Sequence, residues 1–172
     1  MIRSEQGADH SLPSNDLLMG AGRCFGSGDA RAIRRRDGFT RAVGELLPDE
    51  PVRIVDLPDR DISMDTGVDL LDAALERFPE ATAIMFATDV LATGAVLAAQ
   101  RRGIAVPDRL AITGFGDFEM SRHLNPALTT VSVDVGTIGT KAAELLLARL
   151  AGTAIESATV DVGYRIVTRE SA

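Results

Sequence analysis

The segment from Ala83 to Asp117 constrains the fold of this chain more than any other feature. It begins with an apolar run, AIMFA, passes through Thr88-Asp89 into the largely apolar stretch from Val90 to Arg102, and ends with a second apolar run, LAITGF. This order predicts a strand, a buried helix and a second strand. A helical crossover of this kind joins parallel strands, so the segment predicts a parallel sheet.

The rest of the chain repeats this alternation of strands and helices. Further apolar runs predict strands at 17–22, 52–57, 128–133 and 159–167. Helical periodicity predicts helices at 29–47, 68–78 and 135–150, and Asp134 is the expected N-cap of the last one. Gly94, in the middle of the apolar helix, predicts close packing against a neighbour. The fold class expected from this alternation is α/β.

Composition and charge exclude several classes of protein. The chain has 172 residues, one cysteine and a formal net charge of −7. No apolar run is long enough to span a membrane, and residues 1–15 form a polar, irregular lead-in without the apolar core of a secretion signal. A single cysteine, Cys24, fits a reducing cytoplasm. The acidic balance argues against this chain binding nucleic acid by itself.

The motifs of common catalytic sites are absent from the sequence. GAGRCFG and GFGDFE both depart from the glycine spacing of a dinucleotide-binding loop, and no G-x-S-x-G or H-E-x-x-H occurs. The histidines are His10 and His123, and neither lies near Cys24, which we interpret as a structural thiol. The sequence therefore predicts no cofactor, no metal and no enzyme.

Polar residues follow the predicted strands at the edge where open parallel sheets bind ligands. Asp29 and Arg35 follow the first strand, Thr88-Asp89 the third and Asp117 the fourth. Carboxylates accept hydrogen bonds from adjacent hydroxyls, and a guanidinium donates in a planar fork to paired oxygens. Such a set suits a polyol, a sugar or a sugar acid.

Each of these residues also has a structural interpretation. Thr88 or Asp89 could cap the helix that begins at Val90, and for Asp89 this is as well supported as ligand contact. Asp117 is expected to cap a following short helix rather than to contact a ligand. The arginines between 31 and 41 are typical of a solvated helix face, and of Arg34 to Arg36 at most one or two can face a cleft.

From about Asp29 to the end, the chain resembles the C-terminal half of LacI/GalR-family transcription regulators. The resemblance is carried by AIMFATDVLATGA, RGIAVPDRLAITGFGD, PALTTV and the closing VTRES. It implies a periplasmic-binding-protein-like fold of type I, a doubly wound parallel sheet with one lobe nearly complete and part of a second. Residues 16–172 then form the sensor domain. The resemblance assigns residues 16–106 and 134–172 to the C-terminal lobe. It assigns residues 107–133 to a returning segment of the N-terminal lobe.

The resemblance also implies a function and a set of effector contacts. Asp89 matches the family's cleft aspartate, Arg35 its cleft arginine, and Asp29 and Arg31 lie where further contacts occur. The expected activity is sensing of a small sugar or sugar acid by a cytoplasmic repressor. GFGDFE resembles gluconate-utilisation regulators, which makes gluconate a candidate effector.

The resemblance further implies a homodimer and binding to operator DNA. In the family a helix-turn-helix carries that binding, and none is recognisable in this sequence, so we expect a truncated regulator. Two alternatives from other classes remain. One is a solute-binding protein of an uptake system, which would need a signal peptide. The other is an α/β enzyme acting on carbohydrates, which would need a nucleophile or a phosphate-binding loop.

Overall fold

Strands and helices alternate in the computed structural model, which describes residues 17–22, 30–57, 60–155, 157 and 159–172. The strands are β1 (Leu17–Gly22), β2 (Arg53–Leu57), β3 (Ala83–Phe86), β4 (Ala111–Phe115), β5 (Thr129–Ser132) and β6 (Arg165–Val167). The α-helices are α1 (Ala30–Leu46), α2 (Met64–Arg77), α3 (Asp89–Arg101) and α4 (Val135–Leu150), and a 3₁₀ turn spans Glu119–Arg122. The predicted α/β class is confirmed.

The six strands form one sheet in the order β2-β1-β3-β4-β5-β6. All neighbours are parallel except β6, which runs antiparallel to β5. The predicted crossover is confirmed, because β3 and β4 are parallel neighbours with Ile84 opposite Ile112. The chain reverses its direction of progress across the sheet between β1 and β3. Such a reversal opens a crevice beyond the carboxyl ends of these strands.

Helices cover both faces of the sheet, as the alternation of side chains along β3 shows. Ile84 and Phe86 belong to the main hydrophobic core, which is built with α2 and α3. Met85, between them in sequence, packs instead with Phe39 and Val43 of α1 in a second cluster. Successive strand residues point to opposite faces, so the two clusters lie on opposite sides of the sheet. The sheet is therefore doubly wound.

The assignment of residues 107–133 to a second lobe is wrong. This segment contains β4 and β5, which continue the sheet beyond β3. Leu110, Ile112 and Leu128 are fully buried in the main core, so the segment is held by apolar packing as well as by the strand ladder.

The element that lies outside the core is α4, which the sequence-based assignment placed with the main lobe. None of its residues is buried against the described part of the chain. Leu146, Leu147 and Leu150 are 59%, 65% and 76% exposed. An apolar helix face left open to this extent is typical of an interaction surface.

The bounds of two elements differ from those predicted because of local hydrogen bonds. α2 begins at Met64 rather than at 68, since the Ser63 hydroxyl caps it by accepting from the Thr66 N–H at 3.1 Å. β6 is three residues long instead of spanning 159–167. The Gly163 N–H donates to the Asp161 carboxylate in a turn that precedes the strand. The predicted cap at Asp134 is confirmed.

Two glycines allow α2 and α3 to cross at backbone contact, which confirms the expectation for Gly94. A Cβ atom on Gly94 would lie 1.9 Å from the carbonyl oxygen of Met64. A Cβ atom on Gly67 would lie 2.0 Å from the carbonyl oxygen of Leu91. Because each obstacle is backbone, neither helix can accept a side chain at the crossing without moving away. The crossing thereby fixes the position of α3, whose first turn faces the carboxyl edge of the sheet.

Replacing Gly94 by alanine should therefore destabilise the fold. We expect Gly94→Ala to lower the free energy of unfolding by about 1–3 kcal/mol, the usual cost of overpacking a core. Gly44→Ala on α1, where no atom lies within 4 Å of the added Cβ, is the matched control. It should raise stability by about 0.5–1 kcal/mol, since alanine favours helix. Urea unfolding measures both, and an unaffected Gly94→Ala protein would contradict the crossing described here.

Candidate functional site

A cavity of about 390 Å³ lies beyond the carboxyl ends of β3 and β4. Its wall comes from α1, the start of α2, the ends of β3 and β4, and the beginning of α4. The lining residues are Arg31, Arg35, Ile62, Thr88, Phe115, Gly116, Phe118, Val133, Val135 and Ile138. The cavity is mostly apolar, and the charged members of its described lining are two arginines. This is the edge of the sheet at which the sequence predicted a ligand site.

The register of α1 places both arginines at the cavity. Arg31, Arg35, Phe39 and Val43 follow one another at intervals of four residues, which puts them on one face of the helix. Phe39 and Val43 are buried against the sheet and anchor this face. The arginines continue the same face toward the helix N-terminus, where it reaches the edge of the sheet.

The guanidinium of Arg35 is held between two strand ends. Its Nη1 donates to the Ala87 carbonyl oxygen at 2.8 Å, and its Cζ lies 3.9 Å from the centre of the Phe115 ring. A cation over an aromatic face is attracted by the ring quadrupole, so both contacts orient the group. Arg34 and Arg41 are exposed and do not line the cavity. Of Arg34 to Arg36, Arg35 is the residue that lines the cavity, in agreement with the expectation that at most one or two of them face a cleft.

Asp89 lies behind the cavity wall, fully buried. One carboxylate oxygen accepts from the Thr130 hydroxyl at 2.6 Å. The other accepts from the Phe118 N–H at 2.9 Å and the Ser121 hydroxyl at 2.7 Å. Gly114 makes room for this group, because a Cβ there would lie 2.2 Å from Oδ1. Direct contact of Asp89 with an effector remains a prediction, while its described bonds hold the segments that follow β4 and begin β5.

Capping of α3 falls to Thr88 and not to Asp89. The Thr88 hydroxyl accepts from the Val90 N–H at 3.1 Å, and Asp89 is the first residue inside the helix. Thr88 also lines the cavity, so one residue starts the helix and forms part of the wall. The other alternative for Asp89, that its side chain only caps the helix, is wrong.

Asp117 has a different role from the predicted cap. The 3₁₀ turn begins after Phe118 without a side-chain cap, and Asp117 stands before it with φ at 52°. Its Oδ1 accepts from Arg169 Nη2 at 2.6 Å, and both side chains are largely buried. The Arg169 hydrogen bond, with smaller contributions from Ser132 and Arg165, lowers the pKa of Asp117 below its ordinary value.

Sequence reasoning assigned no structural role to the closing VTRES. In the structure this tail forms hydrogen bonds with β4 and β5. Ser171 is fully buried, and its carbonyl oxygen accepts from the Ile112 N–H at 2.8 Å. Its hydroxyl donates to the Ile112 carbonyl at 2.6 Å and accepts from the Thr129 N–H at 2.9 Å. The tail thereby joins the amino ends of β4 and β5. In the sequence VTRES contributed to the family resemblance, but a polar ending by itself indicates no contact.

Asp29 was predicted to contact the effector, but it lies outside the described residues, as do Cys24 and the lead-in at 1–15.

Comparison with known proteins identifies the family. Residues 22–172 match the family model of the periplasmic binding protein-like domain. The chain belongs to this family. It is 35% identical over 143 residues to the HTH-type transcriptional regulator GntR of Pseudomonas aeruginosa, covering 83% of this chain and 41% of that protein. It is 34% identical over 134 residues to catabolite control protein A of Priestia megaterium, covering 78% and 40%.

Solved structures agree with this assignment. The crystal structure of transcription regulator GntR from Chromobacterium violaceum superposes with a TM-score of 0.75 at 34% identity. The match covers 91% of this chain and 56% of that one. A LacI-family regulator from Silicibacter pomeroyi gives a TM-score of 0.73 at 29% identity, covering 91% and 55%. The resemblance to the sensor half of LacI/GalR regulators is confirmed.

These comparisons cover only part of each relative. The chain spans about two fifths of the length of the curated regulators that it matches. The relatives reported above are transcriptional regulators. Among the described residues, no helix is both long and apolar enough to cross a membrane.

Removing the Asp89 carboxylate should be costly, and the cost should depend on the replacement. Asp89→Ala leaves the Phe118 N–H and two hydroxyls without their acceptor, at about 1–3 kcal/mol for each buried group that stays unpaired. Asp89→Asn should cost less, because its amide oxygen can serve Phe118 while its amino group donates to the Thr130 hydroxyl. Urea unfolding of both variants checks this order. Equal stability of the wild type and Asp89→Ala would contradict it.

The Asp117–Arg169 pair predicts a pH dependence of stability. Because the folded-state pKa of Asp117 is lowered, the unfolded state binds more protons at acidic pH. The contribution is complete above the ordinary carboxyl pKa and is lost as the pH falls through the lower folded-state pKa. Asp117→Asn should therefore lose less stability than the wild type between about pH 6 and about pH 3 in urea titrations. Parallel curves for the two proteins would show that the pair contributes nothing.

Proposed function

We propose that this chain is the effector-sensing part of a LacI-type DNA-binding regulator and that its effector is a small sugar or sugar acid. The observation that carries the proposal is the cavity at the carboxyl edge of the sheet, with two arginines in an otherwise mainly apolar wall. Control of operator DNA by a cytoplasmic homodimer belongs to the same proposal. It is supported by the regulators that the chain resembles over part of their length.

A sugar acid suits the chemistry of this cavity better than a neutral sugar. A guanidinium binds a carboxylate through two parallel hydrogen bonds, and this geometry is specific to arginine. Phe115 and Phe118 add apolar faces, against which the C–H face of a polyol chain can pack. Among the described lining residues no carboxylate is present to repel an anionic ligand.

Gluconate is the candidate we favour within this class. GFGDFE resembles gluconate-utilisation regulators, and two of the similar proteins are named GntR. Gly116 of this motif lines the cavity, and a Cβ atom on it would lie 2.9 Å from the Phe118 ring, which is also part of the lining.

The predicted contacts take different positions in this proposal. Arg35 and Arg31 are the proposed ligand contacts, and their presence in the cavity lining supports this role. Asp89 supports the cavity wall through Phe118, and its direct contact with the ligand is retained as a proposal for the bound state. Asp29 is retained from the sequence alone.

The proposal is tested by substituting Arg35. We expect Arg35→Lys to weaken binding of D-gluconate by about tenfold or more, because lysine cannot form the bidentate pair. If the wild type also binds D-glucose, the affinity for D-glucose should change much less. Isothermal titration calorimetry of this chain with both ligands provides the measurement.

Arg34→Lys is the matched control, since Arg34 lies on the same helix but is exposed and outside the cavity lining. It should leave binding of both ligands unchanged. Equal loss of gluconate and glucose binding in Arg35→Lys would remove the sugar-acid preference. Full retention of gluconate binding would remove Arg35 from the site.

A further inference from the structure

The guanidinium of Arg169 joins two segments that are far from it in the chain. Arg169 belongs to the tail after β6, and its Nη1 donates to the Leu128 carbonyl oxygen at 2.7 Å, just before β5 begins. Its Nη2 donates to Asp117 at 2.6 Å, in the loop after β4 ends. A single guanidinium makes both bonds, so it connects the residue just before β5 with the loop after β4.

From this geometry we propose that Arg169 is a positioning residue for the effector cavity. It acts through Asp117, which stands between two residues of the cavity wall, Gly116 and Phe118. The inference rests on the proposed function, because it takes this cavity as the effector site. It assigns the closing tail a role in ligand affinity in addition to its role in stability.

The loop needs this support because its backbone conformation is unusual. Asp117 has φ at 52°, a left-handed conformation that residues other than glycine adopt at a cost. Phe118 is fixed on its other side by the bond from its N–H to Asp89. Without Arg169, Asp117 loses the partner that stabilises its left-handed backbone conformation. The loop then populates other conformations, in which Phe118 no longer completes the wall.

Arg165 provides a matched control within the same cluster. It also faces Asp117, but at 3.7 Å and with 75% of its side chain exposed, whereas Arg169 is 15% exposed. Each arginine-to-methionine substitution removes one guanidinium near the same carboxylate. Ser171→Ala is the second control, because Ser171 is in the same tail but bonds only at the amino edge of the sheet.

Two measurements on the full chain test the proposal. The first is amide hydrogen exchange of the ligand-free protein, which reports local opening. Arg169→Met should accelerate exchange in the peptide containing Gly116 to Phe118, while Arg165→Met should not. Ser171→Ala should instead accelerate exchange in the peptides around Ile112 and Thr129. The second is the Kd for D-gluconate, which should rise about tenfold in Arg169→Met if the competent loop falls to about a tenth of the population.

The outcomes separate this inference from the proposed function. Unchanged exchange at Gly116 to Phe118 in Arg169→Met overturns the inference, whatever the ligand does. A rise in Kd that is equally large in Ser171→Ala also overturns it, since the tail would then act through stability alone. If the wild type does not bind gluconate, the proposed effector fails, and the exchange result alone decides the role of Arg169.

Should Arg169→Met not fold, Arg169→Lys takes its place. Its single ammonium keeps the charge but lacks the planar pair of donors that serves Leu128 and Asp117 together, so local exchange should still increase. Wild-type exchange at the loop in this variant would overturn the proposal.

Discussion

The buried carboxylate of Asp89 is the interaction on which the carboxyl edge of the sheet depends. Its position follows from the crossover, because α3 starts immediately after β3 and turns its first residue inward. A buried charge is costly unless it is fully hydrogen-bonded, and here three protein donors meet it at the positive end of a helix. Those donors come from the loop after β4 and from β5. The Asp89 side chain thus connects the start of α3 with both of these segments.

The cavity results from that arrangement combined with the register of α1. Phe39 and Val43 fix the helix on the sheet, and the same face carries Arg35 to the Ala87 carbonyl. The Phe115 ring, at the end of β4, completes the clamp on the guanidinium. The guanidinium of Arg35 is therefore positioned by the buried side chain of Phe39, which lies about one helical turn further along α1.

Those features that depend on neighbouring residues were predictable from the sequence. The crossover, the close contact at Gly94 and the cap at Asp134 each follow from local spacing. The assignment of 107–133 to another lobe was wrong because an apolar strand pattern does not state which sheet the strand joins. For α4 the prediction failed for a different reason. An apolar helix face predicts burial but does not indicate which surface covers it, and none of the described residues buries α4.

The contacts that the sequence could not predict join residues far apart in the chain. Arg169 and Asp117 are 52 positions apart, and Ser171 and Ile112 are 59 apart. No periodicity links such pairs, and VTRES on its own has the composition of an exposed end. The presence of an aspartate at position 117 can be explained only from the fold. Glycine would adopt its backbone angle at lower cost, but only a residue with a carboxylate can use that angle to pair with Arg169. The ion pair with Arg169 offsets the cost of the left-handed backbone at residue 117 and thereby favours this conformation of the loop beside the cavity.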